Sequence, residues 1–219
     1  MFRVCFREMK QISSAEISSW SRFYRGNLIN SLSGFKPVSL IGTISERGQT
    51  NLAIFSNIVH LGADPALVGY VNRPLEAAPH TIANIQKTGV YTINHIHDEI
   101  VPKAHQTSAK YPEQVSEFDA VGLTPQFVEG IKAPFVQESR VKYAVALREI
   151  IPISWNNTFF VIGEIQSVLL DTSLITADGF LELEKAGSLC SLGLDGYYNP
   201  NRLARYAYAK ADQPLTQIG

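Results

Sequence analysis

Apolar residues recur with one spacing at the start of the chain and with another in the rest of it. Residues 13–34 place apolar side chains at helical intervals behind Ser13 and Glu16, which have the spacing of a capping box. This pattern predicts an N-terminal amphipathic helix that ends near Gly34. From residue 36 onward, short apolar runs rich in β-branched residues are separated by turn residues, which indicates strands.

The body of the chain predicts a hairpin, several further strands and two short helical segments. The predicted strands cover residues 36–45, 50–59, 66–71 and 90–96, with two or three more within 133–154 and 157–171. Thr81 is predicted to cap a short helix that stops at Gly89, and one or two helical turns are predicted from Asp98 to Pro112. Because strands and helices do not alternate regularly, we predict a mainly β protein, an antiparallel barrel with helical insertions, rather than a doubly wound parallel sheet.

Composition and charge narrow the classes of partner. The 219 residues are 45% hydrophobic with a formal net charge of −1, which provides no basic surface for DNA, RNA or an anionic membrane. Charges such as Arg3 and Arg7 interrupt any N-terminal apolar run that could be a signal peptide or a spanning helix. Cys5 and Cys190 lie far apart, so two reduced thiols are expected. We therefore expect a soluble cytoplasmic protein.

Common catalytic motifs are missing from the sequence, including a phosphate-binding glycine-rich loop, a Gly-x-Ser-x-Gly elbow and a His-Glu-x-x-His pair. His95 and His97 would project to one face of a strand as two metal ligands, but no third ligand is evident nearby. We therefore expect strand histidines and no metal site. An enzyme with this sequence would take its reactivity from a cofactor.

The second predicted strand carries polar residues among its core positions. Strict alternation puts Asn51, Ala53, Phe55 and Asn57 on one face and Ser56 with apolar residues on the other, so neither face is wholly apolar. A buried polar group without a partner costs about 1–3 kcal/mol. These side chains are therefore expected either to bond the protein's own backbone or to face a ligand.

The start of the predicted Thr81 helix is a candidate anion site. A helix N-terminus offers unpaired backbone N–H groups and a partial positive charge, which together favour a phosphate. Arg73, His80 and Thr81 would hold that phosphate. The alternative is that Thr81 is only a helix cap and Arg73 a solvated loop residue.

An ordered set of short motifs runs through residues 36–198. In chain order they are Pro37-Val38, Asn51 to Ser56, Asp64 to Val68, Thr81 to Ile85, Thr88-Gly89, Asn94, Ser108, Glu117-Phe118, Gly122 to Thr124, Glu138-Ser139, Gly163-Glu164 and the segment GLDGYY. This set resembles the flavin-reductase-like proteins, which have an FMN-binding, antiparallel Greek-key split β-barrel. The resemblance implies a helical extension over residues 1–35, the FMN-binding barrel over 36–170, and a tail over 171–219 that packs on the barrel or on a dimer partner.

The resemblance also implies a binding site for FMN, bound noncovalently at a homodimer interface. The implied cofactor-binding residues are Asn51, Ala53, Phe55, Ser56, Asn57, Arg73, His80, Thr81, His105 and Ser108. Ser56 and Asn57 would contact the isoalloxazine ring, and Thr81 with Arg73 or His80 would bind the phosphate. The hydride chemistry would belong to the flavin, which explains why no catalytic triad is needed.

The activity that the resemblance implies is that of a flavin reductase, which passes a hydride from NAD(P)H to FMN and then to free flavin, another acceptor or a monooxygenase partner. Several family members have a histidine just before the Gly-Glu strand, where this chain has Thr158, Phe159 and Phe160. A flavoredoxin-like electron-transfer protein, reduced by a protein donor, is therefore the alternative. A pyridoxamine-phosphate-oxidase-like barrel and a barrel without a cofactor are two further alternatives.

Overall fold

The structure is a computed structural model that describes residues 9–219, so the prediction for Cys5 lies outside the described residues. The helices are α1 Ser14–Ser19, α2 Arg22–Leu32, α3 Pro79–Thr88, α4 Val101–Gln106 and α5 Glu117–Val121. Single 3₁₀ turns span Asp98–Ile100 and Thr172–Leu174. Within residues 9–219, no helix combines the length and the apolar character needed to cross a membrane.

The predicted single N-terminal helix is wrong, because the segment forms two helices. Ser13 caps α1 as predicted, with its hydroxyl accepting from the Glu16 N–H at 3.1 Å. The chain then turns extended at Trp20, and α2 begins after Ser21. Serines favour such breaks because their hydroxyls compete for backbone hydrogen bonds. Neither helix buries a residue in the chain, and Phe23 of α2 is 82% exposed.

The strands form one large antiparallel sheet and two small ones, which confirms the mainly β, antiparallel class. The strands are β1 Lys36–Pro37, β2 Ser39–Ile44, β3 Thr50–Phe55, β4 Val59–Ala63, β5 Ala66–Asn72, β6 Val90–His95, β7 Pro125–Val128, β8 Ile131–Val136, β9 Val141–Ile153, β10 Thr158–Leu170, β11 Cys190–Leu192 and β12 Gly196–Tyr198. The seven-stranded sheet has the order β3-β2-β6-β9-β10-β5-β4, and the small sheets are β1-β11-β12 and β7-β8.

The large sheet wraps around the first of two apolar cores. Its buried members come from six of the seven strands and from α3, among them Ile41, Phe55, Tyr70, Ile85, Tyr91, Val145 and Val161. The two edge strands, β3 and β4, follow each other in the chain, so the sheet closes at a corner. There the Asn57 side chain donates to the Val71 carbonyl at 2.8 Å and accepts from the Val71 N–H at 3.3 Å. At this corner the Asn57 side-chain amide thus takes the place of a pair of backbone–backbone hydrogen bonds to Val71.

A second core lies on the other face of β2 and β3 and explains the mixed pattern of the predicted strand. Leu52 packs there with Ile100, Phe118 and Val136, which belong to the helical insertions and β8. Ala53 and Phe55 belong to the barrel core instead. Because protein covers β3 on both faces, apolar residues occur on both of them. The strand therefore lacks the simple division into one apolar and one polar face.

Helix α3 closes one end of the barrel, with Ile82 and Ile85 buried in the core. The predicted cap at Thr81 is wrong: the helix begins at Pro79, and Ala78 is its N-cap. Proline favours the first helical position because its fixed φ suits a helix and its missing N–H is not needed there. The predicted stop is confirmed, since Gly89 adopts φ 72° in the left-handed region and caps the helix.

The C-terminal tail packs against its own chain. β1 pairs with β11, which joins the start of the barrel to the tail. Arg202 forms an ion pair with Glu182, and Arg205 lies 3.9 Å from the centroid of the Phe180 ring. The domain boundaries at residues 35 and 170 stay a prediction. Cys190 on β11 is a free thiol.

Candidate functional site

A cavity of about 330 Å³ lies between the edge of β3, the start of α3, the loop after α4 and the small sheet. This volume falls in the range of small-molecule sites, about 300–1,000 Å³. All ten predicted site residues line this one cavity: Asn51, Ala53, Phe55, Ser56, Asn57, Arg73, His80, Thr81, His105 and Ser108. The strand and the helix start that the sequence singled out therefore share one cleft.

The backbone edge of β3 is unevenly covered. Thr43 and Ile41 of β2 pair with Asn51 and Ala53, whereas no strand within residues 9–219 pairs with the other side of β3. On that outer side the Leu52 N–H donates to the Glu117 carboxylate at 2.9 Å. Because backbone groups alternate in direction along an antiparallel strand, the N–H group of Ile54 also points outward, and Ser56 follows directly after the end of β3. Both residues line the cavity, so this part of the edge faces it.

Glu117 covers the first part of the outer edge of β3. Its side chain is buried, and it accepts the Leu52 N–H while the neighbouring Ser116 hydroxyl lies 2.7 Å from the Thr50 hydroxyl. Burial raises the pKa of Glu117, and the hydrogen bonds from the backbone N–H groups of Leu52 and of Glu117 itself, with nearby His80, oppose that rise. Glu117 also lines the cavity, although it was predicted only as a member of a motif and not as a site residue.

The polar side chains at the closed end of the cavity largely bond one another. The Asn51 amide donates to Thr43 at 3.2 Å and to Thr81 at 3.1 Å, and Asn84 donates to the same Thr43 hydroxyl at 3.1 Å. Of the two alternatives expected for the polar residues of this strand, the amides of Asn51 and Asn57 therefore follow the one in which the protein itself supplies the partners: side-chain hydroxyls for Asn51 and the backbone of Val71 for Asn57. Thr81 accepts from Asn51 and so keeps its own hydroxyl hydrogen for another acceptor.

The N-terminus of α3 presents positive potential to the cavity. No side chain caps it, and its first turn contains no acidic residue. The N–H groups of His80 and Thr81 precede the first intrahelical hydrogen bond and so lack helical partners. Arg73 is exposed and lines the cavity, and its guanidinium makes no hydrogen bond or ion pair with the residues described here. An anion at this position would meet donors and a favourable helix dipole.

The opposite wall comes from α4, its following loop and the small sheet. His105 Nδ1 lies 2.8 Å from the Tyr197 hydroxyl, and the two rings meet edge to face. Lys110, Tyr111 and Ser191 also line this side. The sequence reasoning missed these last three residues and Tyr197; only the GLDGYY segment pointed toward this wall.

His95 and His97, which were predicted to project from one face of a strand, bond other parts of the protein. β6 ends at His95, so His97 lies beyond the strand and the two do not form an i, i+2 pair on one face. His95 Nδ1 lies 3.1 Å from the Ser188 hydroxyl, and His97 Nε2 donates to the Glu138 carbonyl at 3.0 Å. Burial lowers the pKa of His95 to about 4, which keeps the ring neutral. The described residues contain no cluster suited to a metal ion.

Comparison with known proteins identifies the fold. Residues 35–181 match the model of the flavin reductase like domain. A candidate flavin reductase with a split barrel domain from Shewanella frigidimarina NCIMB 400 is 46% identical, with a TM-score of 0.88 over 92% of this chain and 100% of that one. Nitrilotriacetate monooxygenase component B from Bacillus cereus is 19% identical, with a TM-score of 0.80 over 91% of this chain and 99% of that one. Flavoredoxin of Desulfovibrio vulgaris (Miyazaki F) is 24% identical, with a TM-score of 0.66 over 81% of this chain and 91% of that one.

The last two similarities concern the fold alone, because identity is low. Together with the family match, they confirm the predicted split barrel. This chain belongs to the family of flavin reductase like domains.

Proposed function

We propose that this protein binds FMN noncovalently in the cavity and acts as an NAD(P)H-dependent flavin reductase. The observation that carries the proposal is that one cavity joins an uncovered strand edge to an uncapped helix N-terminus. FMN has a flat heterocycle at one end and a phosphate at the other. The strand edge suits the heterocycle, and the helix N-terminus suits the phosphate.

The phosphate is assigned to the start of α3. The N–H groups of His80 and Thr81, the Thr81 hydroxyl hydrogen and the Arg73 guanidinium are the donors available there. The absence of an acidic residue in the first turn of α3 removes a like-charge penalty for a dianion. Two acidic residues, Glu76 and Glu117, also line the cavity, and the Glu117 carboxylate is bonded to the Leu52 N–H.

The isoalloxazine ring is assigned to the outer edge of β3. Its polar edge alternates hydrogen-bond donors and acceptors, and the outward N–H and carbonyl groups of Ile54 offer one of each. Ala53 and Phe55 supply apolar surface beside that edge. The Ser56 hydroxyl, which has no partner in the described part of the chain, is a further group for the ring. Asn57 contributes through its position rather than through its amide, which is bonded to Val71.

FMN, when bound, would supply the hydride chemistry at its N5 atom. The residues of this chain would bind, orient and desolvate the flavin, with no general base required. The proposed hydride donor is NAD(P)H, and the proposed acceptor is a free flavin or a partner oxygenase. The similarity to nitrilotriacetate monooxygenase component B supports the oxygenase partner.

A homodimer with FMN at the interface is part of the proposal. Exposed apolar side chains lie on edge strand β4, where Val59 is 42% and Leu61 41% exposed. An uncovered edge strand with apolar side chains is a common element of subunit contacts. These residues follow directly after the cavity-lining corner at Asn57, so a partner subunit there would also approach the flavin.

A flavoredoxin-like electron carrier is the second candidate, and the residues before the Gly-Glu strand favour it. Thr158, Phe159 and Phe160 stand where several family members have a histidine. Phe159 packs against the barrel core, and the Phe160 ring occupies the space that a side chain at Gly69 would need. Neither ring offers a hydrogen bond to a nicotinamide.

Two measurements test the proposal. Apoprotein titrated with FMN and with riboflavin should bind FMN at least about 10-fold more tightly, because riboflavin lacks the phosphate. Steady-state oxidation of NADH and NADPH with added FMN should show turnover. Absence of FMN binding removes the whole proposal. Tight FMN binding without reduction by either nicotinamide in a stopped-flow trace removes the reductase and leaves the electron carrier.

A further inference from the structure

The small-sheet wall of the cavity contains a buried polar group without a partner. Ser191 lies on β11, is 4% exposed and lines the cavity. Its hydroxyl has no hydrogen-bond partner among residues 9–219. Buried hydroxyls in folded proteins are nearly always paired, so an unpaired one at a cavity wall points to an atom of a ligand.

Strand register places a second hydroxyl beside it. Ser191 pairs directly with Tyr197 between β11 and β12, so their side chains project from the same face of the small sheet. The Tyr197 hydroxyl is already bonded to His105. Burial raises the pKa of Tyr197, and Asp195 adds to that rise, so the phenol stays neutral. The Ser191 and Tyr197 pair therefore offers neutral hydrogen-bonding groups, although Lys110 also lines this side of the cavity, whereas the α3 end offers Arg73 and the helix N-terminus.

We propose that Ser191 is a specificity-determining residue whose hydroxyl bonds a neutral carbonyl or amide group of the molecule in the cavity. This inference rests on the proposed function, which supplies two sources of that chemistry: the carbonyl edge of the isoalloxazine ring and the carboxamide of the nicotinamide. A hydroxyl donates to a carbonyl oxygen and accepts from an amide N–H, so it suits either source. An anionic group would instead favour the end near Arg73 and His80.

Ser191→Ala tests the inference, with Ser139→Ala as the matched control. Ser139 is also 4% exposed and also has an unpaired hydroxyl, but it lies outside the residues that line the cavity. Removal of an unpaired buried hydroxyl should not weaken the apoprotein. Both variants should therefore melt at or above the wild-type temperature, which separates a binding defect from a folding defect.

The experiment has one arm for each source. Apoprotein is titrated with FMN by flavin fluorescence, and the FMN-loaded protein is assayed for its KM for NADH. Ser191→Ala should be about 3- to 10-fold weaker in one arm, the loss expected for one neutral hydrogen bond. A loss in the FMN arm assigns the flavin carbonyl, and a loss confined to the NADH arm assigns the carboxamide.

Two results overturn the inference. If the wild type binds FMN and Ser191→Ala matches it in both arms, Ser191 does not contact the ligand although the proposed function stands. If Ser139→Ala loses as much as Ser191→Ala, the effect is not specific to the cavity. Failure of the wild type to bind FMN would overturn the proposed function and this inference together.

Discussion

Buried polar groups in this protein fall into two regions that behave differently. In the barrel framework, Asn94 donates to the Leu40 carbonyl at 3.1 Å and the Thr92 hydroxyl at 2.9 Å, and it accepts from the Val136 N–H at 2.9 Å. At the cavity, the Ser191 hydroxyl has no partner among the described residues, and beyond Leu52 the outer edge of β3 pairs with no strand there. Polarity at a strand position therefore does not reveal a site, and neither does an unpaired group alone, since the Tyr70 and Ser139 hydroxyls are unpaired among the described residues and lie away from the cavity. An unpaired group that also lines a cavity is the more specific signal.

Asn51 lies between the two regions. Its side-chain amide donates to the Thr43 and Thr81 hydroxyls, so it is paired like the polar groups of the framework. Asn51 nevertheless lines the cavity. The network orients the Thr81 hydroxyl, whose hydrogen remains available. The cavity is thus formed by framework residues that leave selected donors free. Mutations in the framework should lower stability, and mutations at free groups should lower ligand affinity alone.

The largest effect is expected for Asn94→Ala. The substitution removes the side-chain partner of the Leu40 carbonyl, the Thr92 hydroxyl and the Val136 N–H in the core, where Asn94 is fully buried. The free energy of unfolding, measured by urea denaturation of the apoprotein, should fall by about 3 kcal/mol. Ser56→Ala is the control, and it should change that free energy by less than about 0.5 kcal/mol. Equal losses in both variants would abolish the distinction between the regions.

A smaller, pH-dependent effect is expected for Glu117→Gln. The carboxyl pKa is raised by burial in the folded protein, so the folded state holds the proton more tightly than the unfolded state. This carboxyl therefore favours folding most at low pH, and the contribution is lost as pH rises from about 4.5 through the raised pKa.

Because glutamine does not titrate, the stability of the wild type minus that of Glu117→Gln should decrease with pH across this interval and then level off. Urea denaturation at a series of pH values measures the difference. An increase with pH would mean that the folded-state pKa is depressed, and that the bond from Leu52 outweighs burial.

Much of the fold and all ten predicted positions along the cavity were accessible from the sequence, but hydrogen-bond roles were not. The strand pattern and Gly89 were sufficient for most barrel strands and for the helix stop, but the edge strand β4, Val59–Ala63, was not predicted. The prediction of one strand over residues 50–59 missed the corner at Asn57, because its partner Val71 is distant in sequence. Glu117 acts on Leu52 across 65 residues. Short elements such as β11 and β12 are too brief to establish a periodicity.

The smallest effect is expected at the exposed end of the cavity, for Arg73→Gln. Arg73 is solvent-exposed, so its charge is screened, and its loss should weaken FMN binding by only about 3- to 5-fold at low salt. The difference from wild type should vanish near about 0.5 M salt and should be absent for riboflavin, which has no phosphate. Lys87→Gln removes the same charge from the other end of α3 and should leave FMN affinity unchanged. A loss that persists at high salt, or that appears equally with riboflavin, would place Arg73 against the ring instead of the phosphate.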